Sequence, residues 1–481
     1  MCERVCHKRP SIYKVPEHLR KLNENAYTPW HVSVGPYHHK SHKYKVMEEQ
    51  KLVYMKALIL RRRSRASNNN AGEVKEEEID EYFKEVEKLE SKARANYAET
   101  IELNKDDFVK MLLIDGCFVV EFLCRKIRKL AKFEDEAMIK FDEMYKFINN
   151  TYKEMNPKYD FILKSTRTAF EVRRDLTLLE NQLPYFVLET LFNFTFSCKA
   201  NKPNFKAIVY CTLRTSIPNI SHILNEDDIA QRIELEPETT AHFVSFLKSC
   251  CGPAKEAEEG TFTPEEQSVR NRSVIISIDH QHEKIKEFPC LCNMKTHELR
   301  VPSASRLAKS GIVFETMEGE TPLLQINFDS KKGVLKMPVL ILWHHTETFF
   351  RNIMAYELYN HTANYSQNIS VSDYMCFMDD LINSKEDVAV LVKSGIIQNW
   401  LESDEVATDL FNSITKHILA DYSSYSSTCK QMNEFRKKYN IRQLKAALQQ
   451  DYFNQPWAIV YFITGVIIQT AASIIQAVTS I

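Results

Sequence analysis

The side chains best suited to chemistry in this 481-residue chain are histidines that lie close together. His38, His39 and His42 lie within GPYHHKSHKY, and three imidazoles at this spacing could hold a transition metal. No neighbouring carboxylate or cysteine completes a ligand set, and loop histidines commonly serve as hydrogen-bonding groups. His344 and His345 are a thinner candidate at the end of an apolar run, where packing is the simpler interpretation. We therefore expect no metal site.

A cysteine nucleophile is the second chemistry that the residue types allow. Cys117 directly follows Asp115 and Gly116, but it lies in an apolar helical run. A cysteine in such a run packs as a small hydrophobic side chain and is inert. We therefore expect no catalytic residues and no enzymatic activity.

The segment Glu180-Asn-Gln-Leu-Pro184 carries three polar residues between apolar neighbours. Pro184 ends one helix or opens the next. A buried Asn181 or Gln182 can hydrogen-bond the backbone of a loop. We expect this structural role rather than ligand binding.

Composition excludes several common functions. The chain has only 10 glycines, with no G-x-G and no Gly-Lys pair, so the usual nucleotide-binding loops are missing and we expect no cofactor. The formal net charge of −1 gives no chain-wide basic footprint, and we expect no nucleic-acid partner. The twelve cysteines include no C-x-x-C pair.

The elements that must position these residues are mostly helices. Long amphipathic stretches predict a mainly α, multi-helix globular body. Ser384-Lys-Glu-Asp387 is a capping box that opens one helix, and Gly395 can close it. The runs GIVFE, LLQINFD and VLKMPVLIL predict a small β insertion near 312–342.

The last 25 residues, Trp457–Ile481, contain no ionisable side chain. As a helix they would span roughly 37 Å, enough for a bilayer core of about 30 Å. This predicts a C-terminal transmembrane helix and a single-pass protein of the plasma membrane or an endomembrane. A buried core helix is the alternative, since Gln469 and Gln476 weaken the apolar character.

Two further patterns concern this helix. Small and polar residues recur every four positions and could pack membrane helices into an oligomer. These are Gly465, Gln469, Ser473 and Ala477. A basic run at residues 436–445 precedes the helix, so the positive-inside rule predicts a cytosolic body. Seven N-x-S/T sequons point the other way, although such sequons also arise by chance.

The domain organisation follows from these segments. We expect an N-terminal tail over 1–11, a globular region over 12–451 and the transmembrane helix over 457–481. Polar, aperiodic stretches predict flexible loops near 64–78 and 252–273.

Several runs of the chain are similar, in order, to the motifs of one plant family. Ile12-Tyr-Lys-Val-Pro16 resembles its opening, and Asn454-Gln-Pro-Trp457 resembles its step into a C-terminal membrane helix, with Gln455 as an insertion. The chain thus resembles the plant family built on domain of unknown function 247, whose members are often named UPF0481 proteins. The positions that carry the resemblance are Gly35, Pro36, Tyr37, His38, His39, Asp115, Gly116, Cys117, Phe118, Glu180, Asn181, Gln182, Leu183, Pro184, Phe350, Arg351 and Asn352.

The resemblance implies a plant protein with a membrane helix and no established enzymatic activity. Some members in grasses are implicated as pollen-side determinants of self-incompatibility, a role of particular loci. Our leading hypothesis is a membrane-anchored module for protein interaction, recognition or signalling, with an unnamed protein partner. The rivals are an enzyme whose site is assembled from dispersed His, Glu and Cys residues, and a soluble scaffold with a docked C-terminal helix.

Overall fold

The structure is a computed structural model that describes most of the chain. The described residues are 10–39, 41–63, 73–130, 140–153, 160–199, 201–219, 224, 229, 241–253, 300–319, 321–359, 370–418, 423–448 and 456–479. Within the last helix, side chains are described over 463–476. Of the two predicted flexible loops, residues 64–72 and 254–273 lie outside this part of the chain, and Glu76–Glu78 already belong to a helix.

The N-terminal half of the described chain is mainly helical, as predicted. Its helices are α1 Glu17–Arg20, α2 Lys45–Arg62, α3 Glu76–Glu87, α4 Glu90–Arg94, α5 Lys105–Leu130, α6 Asp142–Thr151, α7 Thr166–Asp175, α8 Tyr185–Thr195, α9 Phe205–Leu213 and α10 Phe243–Cys251. Short 3₁₀ turns occupy Glu24–Ala26, His42–Tyr44 and Arg214–Ser216.

Helix α5 is the centre of this half. Asp106 and Asp107 in its first turn and Arg128 and Lys129 in its last turn favour the helix dipole. It packs against α2, α3, α4, α6, α8 and α9, so nearly all its middle residues are buried. A Cβ on Gly116 would lie 2.4 Å from Leu191 Cδ1, so a larger residue there would force the end of the Leu191 side chain to move.

The C-terminal half adds the small sheets. Its elements are α11 Ala304–Lys309, β1 Val313–Thr316, β2 Asn327–Asp329, β3 Val334–Met337, β4 Leu340–Leu342, α12 Thr346–Tyr359, α13 Val371–Leu381, α14 Lys385–Lys393, β5 Ile397–Asn399, α15 Asp404–Ile414, a 3₁₀ turn Ser423–Tyr425, α16 Ser426–Leu448 and α17 Pro456–Thr479. The predicted capping box of Ser384 and Asp387 opens α14, and Gly395 follows it with a φ of +77°.

The predicted β insertion is present, but it is not the whole β structure. Strands β1, β3 and β2 form a sheet in that order, with β1 and β3 parallel and β2 and β3 antiparallel. Strand β4 instead pairs in parallel with β5, placing Leu342 opposite Asn399. The short β5 lies outside the predicted insertion and was missed.

The predicted transmembrane helix needs correction. A helix does form over Pro456–Thr479, but no helix in the described chain combines the length and apolar character needed to cross a membrane. Within its described side chains, α17 carries the polar Gln469 and Gln476. This finding overturns the transmembrane helix, the single-pass membrane location and the cytosolic orientation derived from it.

The stripe of small and polar residues on this helix was predicted to pack membrane helices together, and that prediction depends on the membrane span corrected above. Gly465, Gln469 and Ser473 are exposed, and the side chain of Ala477 lies outside the described residues. The Ser473 hydroxyl donates to the Gln469 carbonyl oxygen at 2.8 Å. Neither membrane-helix packing nor an oligomer built on it follows from the stripe.

Candidate functional site

Residues 10–39, the N-terminal strap, cross the helical body with little regular structure of their own. The buried carboxylate of Asp175, at the end of α7, fastens the middle of the strap. It accepts hydrogen bonds from the backbone N–H groups of Trp30 (2.9 Å), His31 (2.7 Å) and Val32 (3.0 Å). These three N–H groups donate to no backbone carbonyl of the described residues, so a buried side-chain acceptor replaces the missing partners.

Asn181 and Gln182 tie loop backbone together, as predicted. Asn181 accepts the N–H of Val34 at 2.7 Å and donates to the carbonyl oxygens of Val32 and Asp175 at 3.0 and 2.9 Å. Gln182 accepts the N–H of Phe243 at 2.9 Å and donates to backbone carbonyls of its own loop. Both side chains are therefore fully used by the fold.

Asp115 and Gly35 join the strap to α5. Asp115 accepts the Gly35 N–H at 2.9 Å and pairs with the buried Lys51 ammonium at 2.7 Å. Gly35 has a φ of +80°, and a Cβ there would lie 2.5 Å from the Gln182 carbonyl oxygen. Both observations require glycine at this position.

Glu180 holds the start of the strap. Its carboxylate accepts the Val15 N–H at 2.6 Å, pairs with Arg20 at 2.5 Å and lies 3.4 Å from His38 Nε2. Burial opposes ionisation, but the nearby His38 ring, the Arg20 charge and the Val15 amide outweigh it and lower the pKa of Glu180. Glu180 is therefore a charged side chain that holds the strap in place.

The remaining family-like positions also serve packing or connection. Asn352 accepts the Leu179 N–H at 2.9 Å and donates to the Ala26 carbonyl oxygen at 2.8 Å, so one amide links three distant segments. Arg351 pairs with Glu347 at 2.7 Å. The others lie in the core, at a helix start or on the strap: Pro36, Tyr37, Gly116, Cys117, Phe118, Leu183, Pro184 and Phe350.

The residues proposed for metal or nucleophilic chemistry are not brought together. His38 contacts Glu180, whereas His42 is exposed in a 3₁₀ turn. The described residues include no group of three or more metal-type ligands. Cys117 is fully buried, and burial raises the pKa of its thiol well above the ordinary value. A thiol held protonated in the core is a poor nucleophile.

An open groove of about 330 Å³ lies where β4 and β5 end, next to α15. We call it the Trp343 groove, and its walls include Trp343, His344, Glu347, Leu401, Val406 and Asp409. Trp400 directly precedes Leu401 of this wall, and its side chain is 71% exposed. Its backbone N–H donates to the Leu342 carbonyl oxygen. Aromatic and aliphatic side chains and two carboxylates therefore lie together in the wall of one open groove.

A smaller cavity lies on the other side of Trp343. This arginine cavity, of about 10 Å³, is walled by Phe170, Arg173, Arg174, Ser216, Trp343 and His345, among others. Phe170 stacks at 4.6 Å from the His345 ring, and the Arg173 guanidinium lies 4.7 Å from the Phe170 centroid. The walls are thus aromatic and cationic.

Electrostatics set this cavity apart. Burial, with the nearby charge of Arg214, lowers the pKa of Arg173 to about 10. Burial, with the charges of Arg174, His344 and Arg173, lowers the pKa of His345 to about 4, so His345 is neutral at pH 7. Both shifts arise mainly from burial, and the nearby positive charges add to it.

Sequence reasoning noticed only part of this region. The pair His344-His345 drew attention, and the packing role expected of it agrees with the aromatic contacts of His345. Arg173, Trp343 and Trp400 were missed, because they are far apart in sequence and belong to no spaced motif. A tryptophan directly after the short run Gly395–Asn399 was the signal that the sequence offered.

Comparison with known proteins agrees with the motifs. The family described as DUF247, plant protein of unknown function, matches residues 12–470. A putative UPF0481 protein of Arabidopsis thaliana is 24% identical, over 96% of this chain and 89% of its own length. A second Arabidopsis thaliana UPF0481 protein is 25% identical, over 97% of this chain and 86% of its own. No solved structure matches significantly. The chain therefore belongs to the DUF247 family of plant proteins of unknown function.

Proposed function

We propose that this protein is a non-enzymatic protein-interaction module, and that its partner binds in the Trp343 groove. The observation that carries the proposal is the 71% exposed Trp400, which directly precedes Leu401 in the wall of an open groove of about 330 Å³. Tryptophans at the centre of interfaces commonly supply much of the binding free energy. Leaving one in water has no benefit for the isolated fold.

The chemistry of the groove supports a particular kind of partner segment. Leu401 and the 41% exposed Val406 offer apolar contact. Glu347 is already engaged by Arg351 and by Asn23, whereas Asp409 is exposed and makes no ion pair with any described residue. The expected segment has an apolar or aromatic side chain for the groove and a Lys or Arg next to it for Asp409.

Selection of random peptides on the full-length protein tests this proposal. We expect enrichment of peptides with an aromatic or large aliphatic residue next to a Lys or Arg. Affinity for an enriched peptide, measured by fluorescence polarisation, should fall about 30-fold in Trp400→Ala, since such anchors contribute about 2 kcal/mol. Selection on Asp409→Lys should replace the basic residue by an acidic one.

Phe161→Ala is the matched control, because Phe161 is 53% exposed but, unlike Trp400, has no sequence neighbour in the groove wall. Its peptide affinity should equal that of the unmodified protein. Failure to enrich any such peptide, or equal affinity in Trp400→Ala, contradicts the proposal.

A further inference from the structure

We infer that the arginine cavity binds a carboxylate group, either of a free small acid or of a chain terminus. This ligand site is separate from the Trp343 groove, although Trp343 borders both. The inference does not depend on the proposed peptide partner.

The first support is a set of buried polar atoms without hydrogen-bond partners. Among the described residues, Nε of Arg174, Nε1 of Trp343 and Nδ1 of His345 are buried atoms with no hydrogen-bond partner. All three residues line the cavity. Arg174 is 3% exposed, so its Nε–H cannot reach bulk water. A buried donor without an acceptor costs about 1–3 kcal/mol, and an entering oxygen atom would remove that cost.

The second support is uncompensated charge. Arg173 is 7% exposed and makes no ion pair with any described residue; it donates only to the Thr215 hydroxyl and lies over the Phe170 ring. Lys126 adds a second such cation, and burial together with the Arg173 and Lys129 charges lowers the pKa of Lys126 to about 8.

The neighbouring carboxylates are already committed elsewhere. Asp175 accepts from Arg174 and from the strap, and Glu171 pairs with His31 and Arg167. An anion is therefore the missing partner of the cavity.

Size selects the kind of anion. A volume of about 10 Å³ accommodates roughly one oxygen atom. A planar carboxylate can insert a single oxygen and present an edge to a guanidinium, with less bulk at the cavity mouth than a tetrahedral phosphate. The aromatic walls exclude water and strengthen such a bond.

Thermal unfolding of the full-length protein with sodium acetate tests the inference, at ionic strength held constant with sodium chloride. We expect a saturable rise of about 3 °C in the unfolding midpoint. Acetamide, which has the same shape without the charge, should give none. N-acetylglycine and its amide extend the comparison: tighter binding of N-acetylglycine than of acetate assigns the site to chain termini, and equal binding assigns it to free acids.

Three variants locate the effect. Arg173→Met should weaken acetate binding about tenfold or more, and Arg173→Lys should retain part of it. Trp343→Phe keeps the aromatic wall but removes the indole N–H, and should weaken binding about threefold or more even if Arg173→Met folds poorly. Unchanged acetate binding in both Arg173→Met and Trp343→Phe, or equal stabilisation by acetamide, overturns the inference.

Discussion

Arg173 and Arg174 are neighbours on α7 and both line the arginine cavity, yet of the two only Arg174 has an anionic partner among the described residues. Arg174 donates to the strap carbonyl oxygens of Thr28 and Asn25 and pairs with Asp175. Around the strap, each buried charge has its partners within the fold. Arg173 faces the arginine cavity, where buried donors and a buried cation have no anionic partner. A satisfied network holds structure together, whereas an unsatisfied one marks a place where something else binds.

Asp175→Ala should produce the largest loss of stability, because it breaks the satisfied polar network around the strap. It leaves the Arg174 charge and three strap N–H groups without their acceptor. We expect the free energy of unfolding to fall by about 3–5 kcal/mol in chemical denaturation. Asp409→Ala is the control, and its exposed carboxylate should change stability by less than about 0.5 kcal/mol. A loss as small as the control would mean that the strap is held mainly by apolar contacts.

His242, which also bonds the strap, makes the stability of this satisfied network depend on pH. Its ring is fully buried between the Ser11 carbonyl oxygen (2.9 Å) and the Ser245 N–H (3.3 Å). Burial lowers the pKa of His242 from 6.5 to about 4, against a smaller opposing effect of Ser11. Between these values the unfolded chain binds the proton more readily, so stability falls as the pH decreases from 6.5 towards 4.

His242→Asn should remove this contribution, which reaches up to about 3 kcal/mol at the acidic end. The measurement is the free energy of unfolding of both proteins at several pH values between 7 and 4. His42→Asn, at an exposed position, should leave the pH dependence unchanged. Parallel pH profiles of His242→Asn and the unmodified protein would show that the neutral ring is not what the fold requires.

Arg173→Met should have the smallest effect, and in the opposite direction. Removing a buried cation without an anionic partner should raise the free energy of unfolding by about 1 kcal/mol in the absence of carboxylates. Arg174→Met, one residue away, should instead destabilise by about 3 kcal/mol or more, because Asp175 then stays buried and unpaired. Both changes are measured by chemical denaturation in chloride buffer. If Arg173→Met is less stable than the unmodified protein, the predicted difference between the two arginines is wrong.

The satisfied side was partly accessible from the sequence. A polar run between apolar residues, Glu180 to Pro184, indicates buried amides, and buried amides need partners. Ser384 with Asp387 predicted a helix start, because capping is a local interaction. Which strap residues would meet Asn181 or Asp175 could not be predicted, since those contacts join residues more than 140 positions apart.

The unsatisfied arginine cavity could not be predicted from the sequence for the same physical reason. Arg173 and Trp343 meet only because α7 and the end of β4 are packed together. Strand β5 was missed because three residues, Ile397–Asn399, show no periodicity until β4 supplies the other half of the ladder. The C-terminal helix forms, but absence of charge alone did not establish a membrane span.

The single amide of Asn352 has a consequence for biosynthesis. It bonds Ala26 and Leu179, which the ribosome delivers roughly 330 and 170 residues earlier. The strap therefore leaves the ribosome first among the described segments but completes its bonds late, after the chain has reached α12. Until then the Leu179 N–H and the Ala26 carbonyl oxygen lack the Asn352 amide that joins them. Chains of such long-range contacts fold slowly and depend on chaperones while they are incomplete. Synthesis that stops before Asn352 should yield a protein that cells clear rather than a smaller working domain.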